Sequence, residues 1–282
     1  MNPTPPAAEP LGIIAGAGRF PFMVADAARR DRRHVVVVAL RGLADPALAD
    51  HADAFHWSGL ARLGAWVRLL RRHGVRHAIL AGAVRKDVMY GRFRLLRLLP
   101  DWTSLRLWFF QLSDKRNDSV LSAVADVLQA RGIHLDDAVR YSAEDMATVG
   151  TLTPRVPTDD QTGDIEFGWP IAREIARLDI GQSIAVKERE VIAVEAIEGT
   201  DRMIRRAGEL CPVGGWTLIK VAKPSQDMRF DVPTIGPDTI ENLARCKAAC
   251  LVVQAGKTLI IDRLATLDAA RRRGIAVLAR NA

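Results

Sequence analysis

Residues 220–236 read K-V-A-K-P-S-Q-D-M-R-F-D-V-P-T-I-G and gather two Lys, one Arg and two Asp beside Pro224 and Pro233. Proline restricts the backbone, so both flanks are expected as fixed loop or strand-edge positions. An extended run between them alternates its side chains. Asp227, Arg229 and Asp231 then share one face, and Met228 and Phe230 share the other. Two carboxylates with several cations are a set that can hold a metal ion and a phosphorylated substrate together. The competing reading is a salt-bridged face on an exposed strand.

Such residues need a frame. Residues 11–15, 35–40 and 77–81 are short apolar runs of buried-strand type. Helical patterns lie between them at 21–31 and at 60–73, the second closed by Gly74. Strand, helix, strand, helix, strand implies a parallel sheet with right-handed crossovers. The loop after the first strand, G-I-I-A-G-A-G-R-F-P, places Gly16 and Gly18 where the backbone can come close to an anionic or nucleotide-like ligand, ahead of a helix starting near Pro21. A plain tight turn is the alternative. The third Gly of a dinucleotide fingerprint is replaced by Pro21, and the second strand ends at Arg41 rather than at an acid.

Residues 85–110 interleave Arg92, Arg94 and Arg97 with leucines. After Pro100 and an expected Asp101 N-cap come Trp102, Leu105, Trp108, Phe109 and Leu112 at helical spacing. This segment suits a membrane surface or a lipid, or a core-facing helix. A boundary falls within residues 135–155, so the reading is α/β throughout: residues 1–140 as an N-terminal Rossmann-like parallel-sheet domain and 141–282 as a distinct C-terminal α/β domain. The second half opens with a helix from about Thr158 to Leu178, with Pro170 as a kink. A strand pair follows at 183–187 and 191–196, turning at Glu188 and Arg189. Thr200 is expected to cap a helix at 201–208, before a strand at 216–221.

Composition sets outer limits. Net charge is +7, and the first 140 residues carry 21 Lys or Arg against 13 Asp or Glu, so the positive excess sits in the first half. That suits an anionic partner. No zinc-finger spacing or ribonucleoprotein motif accompanies it, so nucleic acid is not expected. The three Cys and six His do not form a zinc-ligand pattern, and the Cys are read as ordinary thiols. No apolar run approaches the ~18–20 residues needed to cross a bilayer, and no export signal is visible. The expected compartment is the cytoplasm.

The chain resembles the LpxI family of UDP-2,3-diacylglucosamine pyrophosphatases over nearly its whole length. The resemblance rests on L-G-I-I-A-G-A-G-R-F-P, on G-Q-S-I-A-V-K at Gly181, on V-E-A-I-E-G-T-D at Val194 and on the string at Lys220. At Arg116, Asn117, Asp118 and Ser119 members often carry a Gly-Asp-Asp-like run, and here only Asp118 clearly matches. The resemblance implies a nucleotide-binding-like N-terminal domain, a separate C-terminal domain and a lipid substrate between them. It implies Mg2+-dependent cleavage of UDP-2,3-diacylglucosamine in lipid A synthesis, releasing UMP and the diacylated glucosamine 1-phosphate. It also points to the cytoplasmic face of the inner membrane as a peripheral site of action, with a homodimer as one assembly.

With that substrate in view, Asp227 and Asp231 are the expected metal ligands or water activators, and Lys223, Lys220 and Arg229 the holders of phosphate oxygens. Glu195, Glu198 and Asp201 form a second acidic group, the first two as further metal ligands. Thr200 offers a hydroxyl and backbone N–H, and Gln226 a polar contact. Trp108 and Phe109 are expected beneath the acyl chains. A nicotinamide- or sugar-nucleotide-binding oxidoreductase and a non-catalytic lipid or nucleotide binder are the competing classes.

Overall fold

Four consecutive valines at residues 35–38 are each wholly buried, as a strand covered on both faces requires. The computed structural model describes residues 8–84, 99–112, 117–224, 227–229 and 232–282. Its first sheet contains β1 (Ala8–Ala15), β2 (Arg33–Leu40), β3 (Ala54–Ser58), β4 (His77–Ala81) and β5 (His134–Leu135). The order is β3-β2-β1-β4-β5, and every pairing is parallel. This is the strand order of a doubly wound nucleotide-binding sheet, with its switch point between β1 and β4. The parallel N-terminal sheet expected from the apolar runs is therefore present.

Helices Phe20–Arg30 and Leu63–Arg72 supply the crossovers. The second packs so closely on β1 that a Cβ at Gly12 would meet Leu70 at 2.7 Å. Its C-terminus passes into Gly74 at φ 69°, where glycine avoids the left-handed penalty. The sequence pattern missed β3, β5 and the helix Asn117–Gln129. β3 reads A-F-H-W-S and is mostly half-buried at a sheet edge, so no apolar run announces it.

The expected amphipathic helix at 102–112 is shorter and differently faced. An α-turn Trp102–Arg106 passes into a π-helical turn Leu107–Gln111, which shifts the periodicity. Among the described side chains of this segment Leu107 is the buried one, whereas Trp102 is 76% and Phe109 69% exposed. Asp101 does cap this helix, accepting from Ser104 N at 3.0 Å, and also accepts from Ala65 N at 3.1 Å in the helix Leu63–Arg72. Arg92, Arg94 and Arg97 lie outside the described residues.

The chain divides into two compact units between Ser142 and Ala143, with the short run beginning at Asp227 grouped with the first. The second unit holds β6 (Gly150–Thr151), β7 (Ser183–Lys187), β8 (Glu190–Val194), β9 (Thr217–Lys220), β10 (Thr234–Ile235), β11 (Cys250–Gln254), β12 (Leu259–Ile260) and β13 (Ala276–Arg280). Six form one mixed sheet, β6-β13-β11-β9-β7-β8, and β10 pairs with β12. Successive residues of β9 and β11 enter two separate cores: Leu218, Leu251 and Val253 pack around Trp216, Met203 and Ile204, while Ile219 and Val252 pack against Trp169. The hairpin β7–β8 turns on Glu188 and Arg189 at φ 53° and 60°, the left-handed pair that a two-residue turn between twisted strands uses. Helix Asp159–Arg177 opens with a Thr158–Gln161 capping box and contains Pro170.

Candidate functional site

Strand β7 runs antiparallel to both β8 and β9, with Ser183 opposite Lys220 and Ile184 opposite Val194. The start of β7 therefore lies between the ends of its two neighbours. The register continues past the strands: Glu195 N donates to Ser183 O at 2.8 Å and Val221 N to Gln182 O at 2.9 Å. A Cβ at Gly181 would stand 2.0 Å from Glu195 O, so only glycine admits this approach. Three strings far apart in sequence, G-Q-S at Gly181, E-A-I-E-G-T at Glu195 and K-V-A-K at Lys220, thus meet at one end of the sheet.

Their side chains make a short polar chain. Lys220 Nζ donates to Thr200 Oγ1 at 3.0 Å, and Thr200 Oγ1 donates to Glu195 Oε2 at 3.1 Å. An ammonium can only donate, so the hydroxyl must accept from Lys220 and give its own proton to the carboxylate. Lys220 is 4% and Glu195 7% exposed, so this is an internal ion pair bridged by a hydroxyl. Gln182 Oε1 and Ser183 Oγ are buried nearby in sequence without a hydrogen-bond partner among the described residues. Neither was singled out from the sequence, although both lie in G-Q-S-I-A-V-K.

Thr200 does not cap its helix. It is the first residue of helix Thr200–Leu210, and Gly199 stands at the N-cap with φ 81° and no side-chain cap. The hydroxyl is committed to Lys220 and Glu195 instead. The acidic group expected around it is also dispersed. Glu198 accepts from Ala196 N at 3.1 Å and from Arg206 at 2.6 Å. Burial pushes the Glu198 carboxyl up, but these backbone and Arg206 hydrogen bonds outweigh it and hold the pKa below its ordinary value. Asp201 meets Asn242, whose Nδ2 donates to its backbone oxygen at 3.1 Å. Lys223 pairs with Asp179 at 2.5 Å, a partner that sequence reasoning did not find.

The extended reading of residues 220–236 fails in its middle. β9 ends at Lys220, and the chain turns at Met228 and Arg229. Asp227 Oδ1 accepts from Arg229 N at 3.0 Å, the local bond by which Asp favours a turn over a strand. The Arg229 guanidinium grips the same carboxylate, Nε at 3.0 Å and Nη2 at 2.6 Å. That grip holds the Asp227 carboxyl below its usual range against an opposing push from burial, so it is a carboxylate at neutral pH. Asp231, Gln226 and Phe230 lie outside the described residues, as does Arg116, and the side chain of Asp118 is not described.

In the first unit, Gly16 serves a close approach between loops. Ala17 and Ala83 exchange backbone hydrogen bonds of 2.9 and 2.8 Å, and a Cβ at Gly16 would meet Ala83 O at 2.8 Å. Gly18 takes φ 94° with open space where its Cβ would be. The loops at the switch point are therefore joined to each other. Trp108 is half-buried and Phe109 exposed. Among the described residues, no three His, Cys, Asp or Glu are grouped to hold a metal ion. The three Cys are free thiols, and burial pushes Cys250 up to about 12.

A doubly wound parallel sheet in one unit and a mixed sheet with a buried Lys–Thr–Glu chain in the other define a two-domain α/β protein. The model of the LpxI N-terminal domain matches residues 10–144, and that of the LpxI C-terminal domain matches residues 148–278. The chain is 35% identical over 277 residues to the UDP-2,3-diacylglucosamine pyrophosphatase LpxI of Caulobacter vibrioides, covering 95% of this chain and 96% of that one. The chain belongs to the LpxI family.

Proposed function

We propose that this protein hydrolyses the diphosphate bond of UDP-2,3-diacylglucosamine in lipid A synthesis, giving UMP and 2,3-diacylglucosamine 1-phosphate. The full-length similarity to the Caulobacter pyrophosphatase carries this reading. The residue chemistry supports it. Attack of water on a diphosphate raises charge on the phosphoryl and leaving oxygens, and fixed positive potential lowers that barrier. Lys220 contributes such potential from a buried position at the open N-terminus of helix Thr200–Leu210. Glu195 and Thr200 hold the ammonium in place. Lys223, braced by Asp179, adds a second cation.

Asp227 is the best-supported base or ligand. It is ionised, oriented by Arg229 and 31% exposed along its side chain, and a carboxylate has more acceptor sites than one guanidinium fills. Glu195 and Glu198 fit the ligand role less well, because Thr200 and Arg206 already engage them. The oxygen donors suit Mg2+, which takes one or two carboxylates and completes its sphere with phosphate oxygens and water. Asp227 and Asp231 would hold it, and when bound it would neutralise phosphoryl charge.

We infer peripheral action at the cytoplasmic face of the inner membrane from the proposed substrate, which is a membrane lipid. Incubating purified protein with UDP-2,3-diacylglucosamine, with Mg2+ or with EDTA, and measuring UMP tests the proposal. Release of UMP in Mg2+ alone is expected. No UMP under either condition overturns the reaction, and full activity in EDTA overturns the metal.

A further inference from the structure

In a parallel sheet every crossover helix returns its C-terminus to the same end, where the next strand begins. In the first unit that end collects arginines. Exposed Arg29, Arg30 and Arg32 lie where helix Phe20–Arg30 gives way to β2. Exposed Arg71, Arg72 and Arg76 lie where helix Leu63–Arg72 gives way to β4, and Arg131 precedes β5. An open cleft of about 300 Å³ there is lined by Arg29, Arg32, Arg33, His34 and Asp53.

Helix-dipole compensation accounts for Arg29, Arg30, Arg71 and Arg72, which stand in last turns. It does not account for Arg32. That residue lies beyond the C-cap at φ 56°, in the left-handed region where glycine or asparagine is the ordinary choice. Arg32 thus stands there at a backbone cost, and its side chain helps to line the cleft. One acid lines the cleft against three arginines: Asp53 accepts from Val35 N at 2.7 Å and stands 3.6 Å from His34, so it offsets only part of the positive charge, and Glu9 lies 3.9 Å from Arg76.

We propose that this arginine-lined end of the N-terminal sheet docks the protein on an anionic phospholipid surface, with a headgroup phosphate in the cleft around Arg29 and Arg32. Guanidinium groups bind phosphate oxygens bidentately, and clustered arginines near an anionic leaflet add their attractions. The face lies at the end of the sheet opposite the glycine loops of β1 and β4, so docking there does not use those loops. The inference rests on the membrane-lipid reading of the substrate, but its test reads vesicle binding rather than turnover.

The test is co-sedimentation with phosphatidylcholine vesicles with and without ~30% phosphatidylglycerol. Wild type should bind only the anionic vesicles and be released by about 0.5 M salt. Arg29→Gln with Arg32→Gly should weaken binding about 10-fold or more, since each arginine near the surface contributes roughly a factor of five. The Arg32→Gly change relieves the left-handed backbone, so the variant should unfold no more easily than wild type. Arg173→Gln with Arg205→Gln removes the same charge from exposed positions of the second unit and should keep binding within about 2-fold. Three results overturn the proposal: wild type that ignores anionic vesicles, an Arg29/Arg32 variant that binds like wild type, and equal losses in both variants. Tighter binding to a DNA duplex than to vesicles at the same salt would assign the face to nucleic acid instead. Release from vesicles by millimolar inorganic phosphate alone would make the cleft a site for free phosphate.

Discussion

Replacing Thr200 with Val tests the polar chain at the centre of the C-terminal domain. The substitution keeps the β-branched shape and removes only the hydroxyl that joins Lys220 to Glu195. Both partners are more than nine-tenths buried, so water cannot readily take the place of the hydroxyl. Each hydrogen bond to a charged group is worth about 1.5–3 kcal/mol, and two are lost. The opposite charges still attract across the gap, which offsets part of this. The expected loss is therefore near the lower bound, about 3 kcal/mol of unfolding free energy, or roughly 6–12 °C in Tm. Thr200→Ser retains the hydroxyl and should stay within about 1 kcal/mol of wild type. Urea unfolding followed by tryptophan fluorescence, with Trp216 wholly buried beside this sheet, reads both variants. UMP release should fall at least ~10-fold in Thr200→Val and little in Thr200→Ser, because a displaced Lys220 no longer projects its field from the same point. A Thr200→Val protein within about 1 kcal/mol of wild type would refute the bridged ion pair.

Four further outcomes are expected. Asp227→Ala should lower turnover at least ~100-fold while the protein stays folded and binds substrate, and near-normal UMP release would remove Asp227 from the chemistry. Because Arg229 depresses the Asp227 pKa, that group stays ionised from neutral pH down through the ordinary carboxylate range, so a kcat/KM profile limited by it should show no acid limb above about pH 5. Asp164 is 2% exposed, and burial raises its pKa although its carboxylate accepts from Arg189 N at 2.7 Å. A raised folded pKa favours the protonated folded state, so its contribution is greatest in acid and is lost as pH rises through the folded value. Asp164→Asn keeps an acceptor without the charge and should stabilise the protein by up to about 1 kcal/mol at pH 7, with the gain vanishing in acid; destabilisation at pH 7 would contradict this. Trp108→Ser with Phe109→Ser should weaken hydrolysis of the diacyl substrate far more than that of a short-chain analogue, since each buried CH2 is worth about 0.8 kcal/mol, and equal losses would make the segment purely structural.

Local chemistry was legible in the sequence wherever it acts within a few residues. The valine run made β2, Gly74 closed a helix, Asp101 capped one, and Glu188 with Arg189 turned a hairpin. Those outcomes depend on steric preference and on bonds to near neighbours, which the order of residues determines directly. The same rule explains the misreading of Asp227: its bond to Arg229 N, two residues on, overrode the alternation that a strand would have imposed. The long family-like strings located the residues of interest, but they could not say which of those residues touch. Lys220 reaches Thr200 across 20 positions and Lys223 reaches Asp179 across 44, because β7 lies antiparallel between β8 and β9 and its register sets the neighbours. The arginine-lined end of the first sheet has the same origin. Sequence showed an excess of positive charge in the first half; only parallel strands, which return every crossover helix to one end, brought it together on a single face.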